Sequence, residues 1–324
     1  MKQLMKILKI GTTKGDYPYY CQHINFTEDS IQTCNGSVFV NLEDNKYPIE
    51  GCVNFNILEP ILNNCETPQI QQEGALLKIK DGSYNSEIII DTLEFPDSNL
   101  LGIDTIEITS ELLYLLTSAM KYTGEGLLSY VYMDSTHILA TKDKQKAFYY
   151  EHSMPMKVGQ VIGINSKILS TLSEGVEIGT SKDNTVVKFD GGQIVFKIAL
   201  LNNYPKEELV NGINNKPLIT KLCNVQPIQE SVKKVSSLLI NETEKVVYLE
   251  NKENVLTIKA TSISQGESTV KLNSELKESF KIKMQVKFLS GIDLDYDVYV
   301  DLNKNNTLYL TNQESEILLA GVRE

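Results

Sequence analysis

Apolar and polar residues alternate in short runs along most of this chain, and the runs come in pairs. Between positions 185 and 210, Val187 and Phe189 alternate with polar neighbours on the way into Asp190-Gly191-Gly192. Phe196 and Ile198 do the same on the way out. Period-two alternation around an Asp-Gly turn predicts a hairpin. An aromatic-proline step, Tyr204-Pro205, and an acidic segment follow. Positions 75 to 101 repeat this order. Leu77 and Ile79 lead into Asp81-Gly82, Ile88 and Ile90 lead out, and Phe95-Pro96 closes. Gly82 with Gly191, Pro96 with Pro205 and Asn56 with Asn165 all share one offset of about 109 residues. That offset is the size of a small domain, well beyond the ~20–50 residues of solenoid repeats.

A third copy fits the remainder. Val53-Asn54-Phe55-Asn56, Ile162-Gly163-Ile164-Asn165 and Phe280-Lys281-Ile282-Lys283 each read as a short strand feeding a short helix. The divisions fall at 1–103, 104–211 and 212–324. Helical periodicity marks residues 2–10, with Leu4, Ile7 and Leu8 on one face and Lys2, Lys6 and Lys9 on another. Thr109 or Ser110 can cap a helix whose core face is Leu112, Leu113, Leu116 and Met120, with Lys121 near its end. Asn165 or Ser166 opens a helix with Ile168, Leu169 and Leu172 inward and Lys167 outward. Pro227 starts another, with Ile228, Val232, Val235 and Leu238 inward and Lys233 and Lys234 outward. Lys283 and Lys287 are expected four residues apart on a further helix. Pro60 is expected only near the first turn of its helix. Strands are expected at 128–133, 136–141 and 147–151, and a last hairpin turns near Asn303 to Asn306. The class is α+β, with three tandem similar domains.

Composition narrows the function. The 324 residues are 41% hydrophobic and 23% charged, ordinary values for a globular protein. The net charge of −11 argues against a general polyanion binder, since phosphate affinity comes from Lys and Arg. The charges are sorted, however. Lysines stand on the expected helices, whereas acids crowd the loops, as at Glu28-Asp29 and Glu207-Glu208. Five cysteines without CxxC spacing predict reduced thiols and no structural zinc. Lys6 and Lys9 interrupt the apolar N-terminal run, and no stretch approaches the ~20 apolar residues of a membrane span. A cytoplasmic protein with no membrane contact is expected.

The order of these words resembles the bacterial-type DNA polymerase sliding clamp, the beta subunit family, over essentially the whole chain. The residues that carry the resemblance are Tyr204-Pro205 with Leu209-Val210, the Leu139-Ala140-Thr141 strand, and the terminal Leu318-Leu319-Ala320-Gly321-Val322-Arg323. The resemblance implies a clamp fold of three domains per chain and a homodimeric ring lined by helices, with antiparallel sheets outside. Duplex DNA would pass through without base readout, facing Lys2, Lys6, Lys9, Lys121, Lys167, Lys233, Lys234, Lys283 and Lys287. DNA polymerase and clamp loader would dock by a short motif in a cleft. Carried over by position, that cleft uses Leu128, Thr141, Pro205, Leu209, Val210, Leu318, Leu319 and Ala320. Leu318 and Leu319 are strand neighbours, so one of the pair can be core instead. The run Thr141-Lys142-Asp143-Lys144-Gln145-Lys146 departs from the family. Lys146 takes the place of an apolar cleft residue, which hints at a divergent, phage-encoded clamp.

The catalytic inventory is poor. His23, His137 and His152 have no metal-ligand spacing, and no phosphate-binding glycine frame or nucleophile elbow is present. Asp293-Leu294-Asp295-Tyr296-Asp297 starts like a calcium loop but lacks its later ligands. No enzymatic activity, metal or cofactor is expected. The competing reading is a non-enzymatic scaffold or assembly protein without DNA contact, which would not need its lysines on one surface. A two-domain trimeric clamp conflicts with the third copy.

Overall fold

The computed structural model describes residues 2–15, 18–96, 103–142, 146–157, 159–181, 183–198, 201–214, 219–292, 295–302, 307–312 and 315–321, the side chains of Lys2 and Gln3 excepted. One motif recurs along them: a strand, a helix, then three antiparallel strands. The first occurrence begins directly at its helix, α1 (Lys2–Leu8), followed by β1 (His23–Phe26), β2 (Ser30–Cys34) and β3 (Val38–Glu43). The second is β4 (Gly51–Asn54), α2 (Phe55–Asn64), β5 (Gln69–Glu73), β6 (Leu76–Asp81) and β7 (Tyr84–Asp91). The third is β8 (Thr105–Glu107), α3 (Ser110–Met120), β9 (Val131–Met133), β10 (His137–Lys142) and β11 (Lys146–Glu151). The fourth is β12 (Ile162–Ile164), α4 (Ser166–Leu169), β13 (Glu177–Ser181), β14 (Asn184–Phe189) and β15 (Gly192–Lys197). A connector helix, α5 (Lys206–Asn214), intervenes. The fifth is β16 (Ile219–Asn224), α6 (Val225–Ser236), β17 (Val246–Lys252), β18 (Val255–Ser262) and β19 (Gly266–Asn273). The sixth is β20 (Phe280–Gln285), α7 (Val286–Leu289), β21 (Asp297–Asp301), β22 (Thr307–Thr311) and β23 (Ser315–Ala320).

The structural repeat is therefore half as long as the sequence anchors imply. The matching words at Val53, Ile162 and Phe280 are the leading strands of the second, fourth and sixth repeats. The hairpins at Gly82 and Gly191 close the second and fourth, with φ of 60° and 79° at those glycines. Such left-handed backbone is cheap only for glycine, which is why these turns are readable in sequence. Odd and even repeats escape detection as copies because their helices differ. The helices run for 7, 11 and 12 residues in the odd repeats (α1, α3 and α6), and for 10, 4 and 4 in the even ones (α2, α4 and α7), so they share a place rather than a length.

Local chemistry explains the helix starts. Asn54 accepts a hydrogen bond from the Asn56 N–H at 2.9 Å, and Asn224 does the same for Gln226. Val225, Ile228, Val232 and Val235 are buried along α6, with Lys233 and Lys234 exposed. Three expectations change. Pro60 sits in the body of α2, which holds because Phe55, Leu58 and Leu62 anchor that helix in the core. Lys283 is not helical: it pairs with Tyr248 across β20 and β17, and sheet pairing overrides the helical spacing to Lys287 on α7. Leu128 belongs to a 3-10 turn, Gly126–Ser129, rather than to a strand. The turn at 303–306, the first half of the acidic loop at 293–294 and Arg323 lie outside the described residues.

Contacts divide the chain into two compact parts. The first, Met1–Leu113 with Lys167–Leu200, holds an 11-stranded sheet ordered β5-β6-β7-β4-β1-β2-β3-β15-β14-β13-β8. The second, Tyr114–Ser166 with Leu201–Glu324, holds an 8-stranded sheet ordered β12-β9-β10-β11-β23-β22-β21-β16 and a 4-stranded sheet ordered β19-β18-β17-β20. This grouping does not follow the divisions at 103/104 and 211/212. Inside each part, the last strand of one repeat pairs with the last strand of another, β3 with β15 and β11 with β23. Each join removes two sheet edges. All five cysteines are buried, and none is in a disulfide.

Candidate partner-binding strip and basic helix faces

In the second part, register decides which side chains share a face. Thr141 pairs with Ala147, and Ala147 with Leu318. Cross-strand partners project to the same side of a sheet, so these three share one face with Leu139, Tyr149 and, two residues on from Leu318, Ala320. Tyr132 joins them through its pairing with Leu139.

The connector is fixed to this face. The Tyr204 ring stacks on Tyr132 at 5.2 Å between centroids, and its hydroxyl donates to the carbonyl oxygens of Tyr130 (3.3 Å) and Leu139 (3.4 Å). Pro205 follows, and the Leu209 N–H donates to its carbonyl at 3.1 Å as α5 begins. The Lys206 ammonium bonds the Asp134 carboxylate. Asp134 also accepts from the N–H groups of Thr136 and His137, both at 2.9 Å, and from the Tyr132 hydroxyl at 3.2 Å. Burial alone would raise the Asp134 pKa, but Lys206 and the two N–H donors outweigh it and hold the carboxyl well below the usual range. Burial first, then Asp134, pushes Tyr132 far up.

Pro205, Leu209, Val210, Leu318 and Ala320 are thus half-buried, with Thr141 fully buried among them. Leu128 stands at the end of β10. Its carbonyl accepts from Gly124 N–H at 2.8 Å, and a Cβ on Gly124 would lie 3.4 Å from Lys142 Cα. The result is an apolar strip along a sheet join, flanked by an anchored connector. Asp134, Tyr132 and Lys206 carry that anchor and were not singled out in the sequence. Their only signal there is the Tyr-Pro-Lys order and a turn-forming Asp134-Ser135.

Two residues depart from the positional expectation. Leu319 pairs with Lys146 on the opposite face, is 0% exposed and belongs to the core with Ile317 and Phe148. Lys146 lies on that same face, turned away from Thr141 and Leu318, so it replaces no residue of the strip. Its ammonium lies 4.1 Å from the Tyr122 ring centroid, and the residue is 5% exposed. Among the described residues no carboxylate reaches it. Burial, then the like charges of Lys121 and Lys142, lower its pKa to about 8.

The lysines assigned to helices divide as follows. Lys6 on α1, Lys167 on α4, Lys233 and Lys234 on α6 and Lys287 on α7 are exposed, as is Lys121 just past α3. Lys9 is held 2.6 Å from Glu59 Oε1. Lys283 is half-buried on β20, and the side chain of Lys2 lies outside the described residues. Of the acidic loop, Asp297 pairs with Lys221 at 3.1 Å and Asp295 accepts from Asn312 at 3.0 Å. Among the described residues there is no cluster of three metal-ligating side chains, and no helix is long and apolar enough to cross a membrane.

No protein-family profile and no curated protein matches the chain. Solved structures do. The DNA polymerase III subunit beta of Pseudomonas aeruginosa matches with a TM-score of 0.79 and 15% identity, over 99% of this chain and 98% of that one. The Helicobacter pylori beta clamp bound to a DNA ligase peptide matches at 0.77 and 13%, over 99% and 97%. The Bacillus subtilis DNA polymerase sliding clamp matches at 0.78 and 13%, over 99% and 97%. The chain has the sliding-clamp fold from end to end.

Proposed function

We propose that this chain is a DNA polymerase processivity factor, a sliding clamp that encircles duplex DNA and tethers the replicative polymerase. The observation that supports it is the agreement of fold with bacterial clamps over 99% of the chain. Such a protein works through its shape, so whole-chain agreement bears on function more directly than it would for an enzyme, whose activity resides in a few residues. The clamp catalyses no reaction and acts in the cytoplasm, where replication takes place.

In this reading the six repeats pair into three domains, 1–103, 104–211 and 212–324, and two chains close a ring of six. Strands β5 and β19 end their sheets and alternate between exposed and half-buried. Pairing such edges between subunits would satisfy their open backbone groups. The exposed helix lysines contact phosphates without reading bases, while the chain's net charge of −11 keeps DNA from adhering elsewhere. The strip around Leu318 takes a short apolar motif from the polymerase or the clamp loader, as the Helicobacter pylori clamp takes a ligase peptide.

Sedimentation equilibrium tests the ring. The expected result is a dimer at twice the 36.4 kDa chain mass, dissociating only on dilution. A monomer at every concentration, or an open series of larger species, contradicts a self-closing two-chain ring.

A further inference from the structure

The helix face assigned to the core in α1 is only partly used there. Met5 and Leu8 are buried, at 3% and 0% exposure, while Leu4 and Ile7 remain half-exposed. They open on a cavity of about 300 Å³ within the first part of the chain, whose other apolar walls are Ile31, Leu42 and Phe189. A cavity of that size stands at the small end of ligand sites, roughly 300–1,000 Å³. It suits one or two large apolar side chains better than a cofactor.

The rim is acidic. Glu43, Asp44 and Asp190 stand around the mouth, all exposed, with Lys46 as the single cation among the lining residues. Lys46 is already taken, its ammonium lying 3.4 Å from Asp44. Glu43 and Asp190 have no cationic partner among the described residues. Backbone bonds hold the main chain that carries two of them: Glu43 N–H donates to Gly191 O and Asp44 N–H to Asp29 O, both at 2.9 Å. Lys6 stands on the opposite face of α1, and Lys9, just past that helix, is paired with Glu59.

We propose that this cavity is a second docking site, which receives an apolar side chain of a partner peptide carrying lysine or arginine on both sides of it. Apolar walls provide the burial. The rim carboxylates select cations and repel both nucleic acid and acidic segments. The site is separate from the Leu318 strip and does not depend on the DNA-clamp reading.

Methyl-resolved NMR of the full chain tests this with two probes, acetyl-Arg-Lys-Phe-Lys-Arg-amide and acetyl-Glu-Asp-Phe-Asp-Glu-amide. The basic peptide should shift the Leu4, Ile7, Ile31 and Leu42 methyls saturably. Two exposed ion pairs worth about 0.5 kcal/mol each give it about fivefold tighter binding than the acidic peptide. Replacing Glu43 with Gln and Asp190 with Asn together should remove that preference while both peptides still reach the cavity. Equal binding of the two peptides, or no saturable shift at these methyls, overturns the proposal. So does a fall in sedimenting mass on Ile7→Glu, which would assign the cavity to a contact between copies of the chain.

Discussion

Lys146 sets the clearest test at the scale of a residue. A buried ammonium without a carboxylate costs stability, and burial has lowered its pKa to about 8. The unfolded chain, with an ordinary lysine, binds this proton more tightly than the folded one. Stability should therefore rise between about pH 8 and 10.4, as the folded lysine is already neutral and the unfolded one loses its proton. Lys146→Met should raise unfolding stability at pH 7 by about 1–3 kcal/mol and flatten that rise. Urea titrations at pH 7 and pH 10 would show it; a destabilised variant would mean that the contact with Tyr122 outweighs the burial of charge. His152 acts on the other side of neutrality. Its Nδ1 accepts from Met154 N–H at 3.0 Å, its buried Nε2 has no partner among the described residues, and burial lowers its pKa. Protonation then favours the unfolded chain, so stability should fall as pH drops below the unfolded histidine value of about 6.5. His152→Gln should lessen that fall.

In the proposed function, the connector is the element on which partner binding turns. Asp134→Asn leaves Lys206 without its counter-charge. Lys206 is 35% exposed, so the expected loss is about 1–2 kcal/mol rather than the full cost of breaking a buried pair. Hydrogen exchange should quicken across α5 first, and unchanged exchange there would contradict the anchoring role. Strand β23 calls for a point variant rather than a deletion. It lies between β11 and β22, and Ile317 and Leu319 are core residues, so removing 317–324 would unfold the sheet. Leu318→Asp, on the strip face, should weaken polymerase binding at least about tenfold, the worth of one apolar anchor of roughly 1.4 kcal/mol or more. At this scale the sequence was readable where the signal is local. Asp-Gly turns need positive φ, and alternation marks strands such as β18, where Leu256, Ile258 and Ala260 are all buried. It was less readable where pairing decides. β5 is QIQQE, nearly all polar, and exists because it pairs with β6. Lys283 has helical spacing to Lys287 but is held in a strand by β17. The division of Leu318 from Leu319 needed only strand alternation; which of them faces the core, and where Lys146 points, came from the register of β11 against β23.

For the whole molecule, the repeat carries the account. Anchors about 109 residues apart revealed every second copy. The half-length unit was hidden because its copies share topology rather than residues, and because helices from 4 to 12 residues long fill the same place. Charge sorting was legible only in part: Lys233 and Lys234 are exposed on the last turn of α6, but Glu207 and Glu208, expected in a loop, lie in the first turn of α5. Replacing both with Glu should leave thermal unfolding within about 0.5 kcal/mol, as expected for surface positions. It should reduce the salt-sensitive residence of the protein on DNA. Unchanged residence would remove α6 from the DNA-facing surface.

A ring around DNA is a topological link, and a change of DNA topology reveals it. The protein would be loaded on a nicked circular plasmid with a clamp loader from the same genome and passed through gel filtration at high salt. The circle would then be cut once with a restriction enzyme. A ring stays with the circle through salt that dissolves ordinary phosphate contacts, and it leaves when the DNA gains ends. Loss from the intact circle at high salt, or equal retention on cut and uncut DNA, would contradict the account.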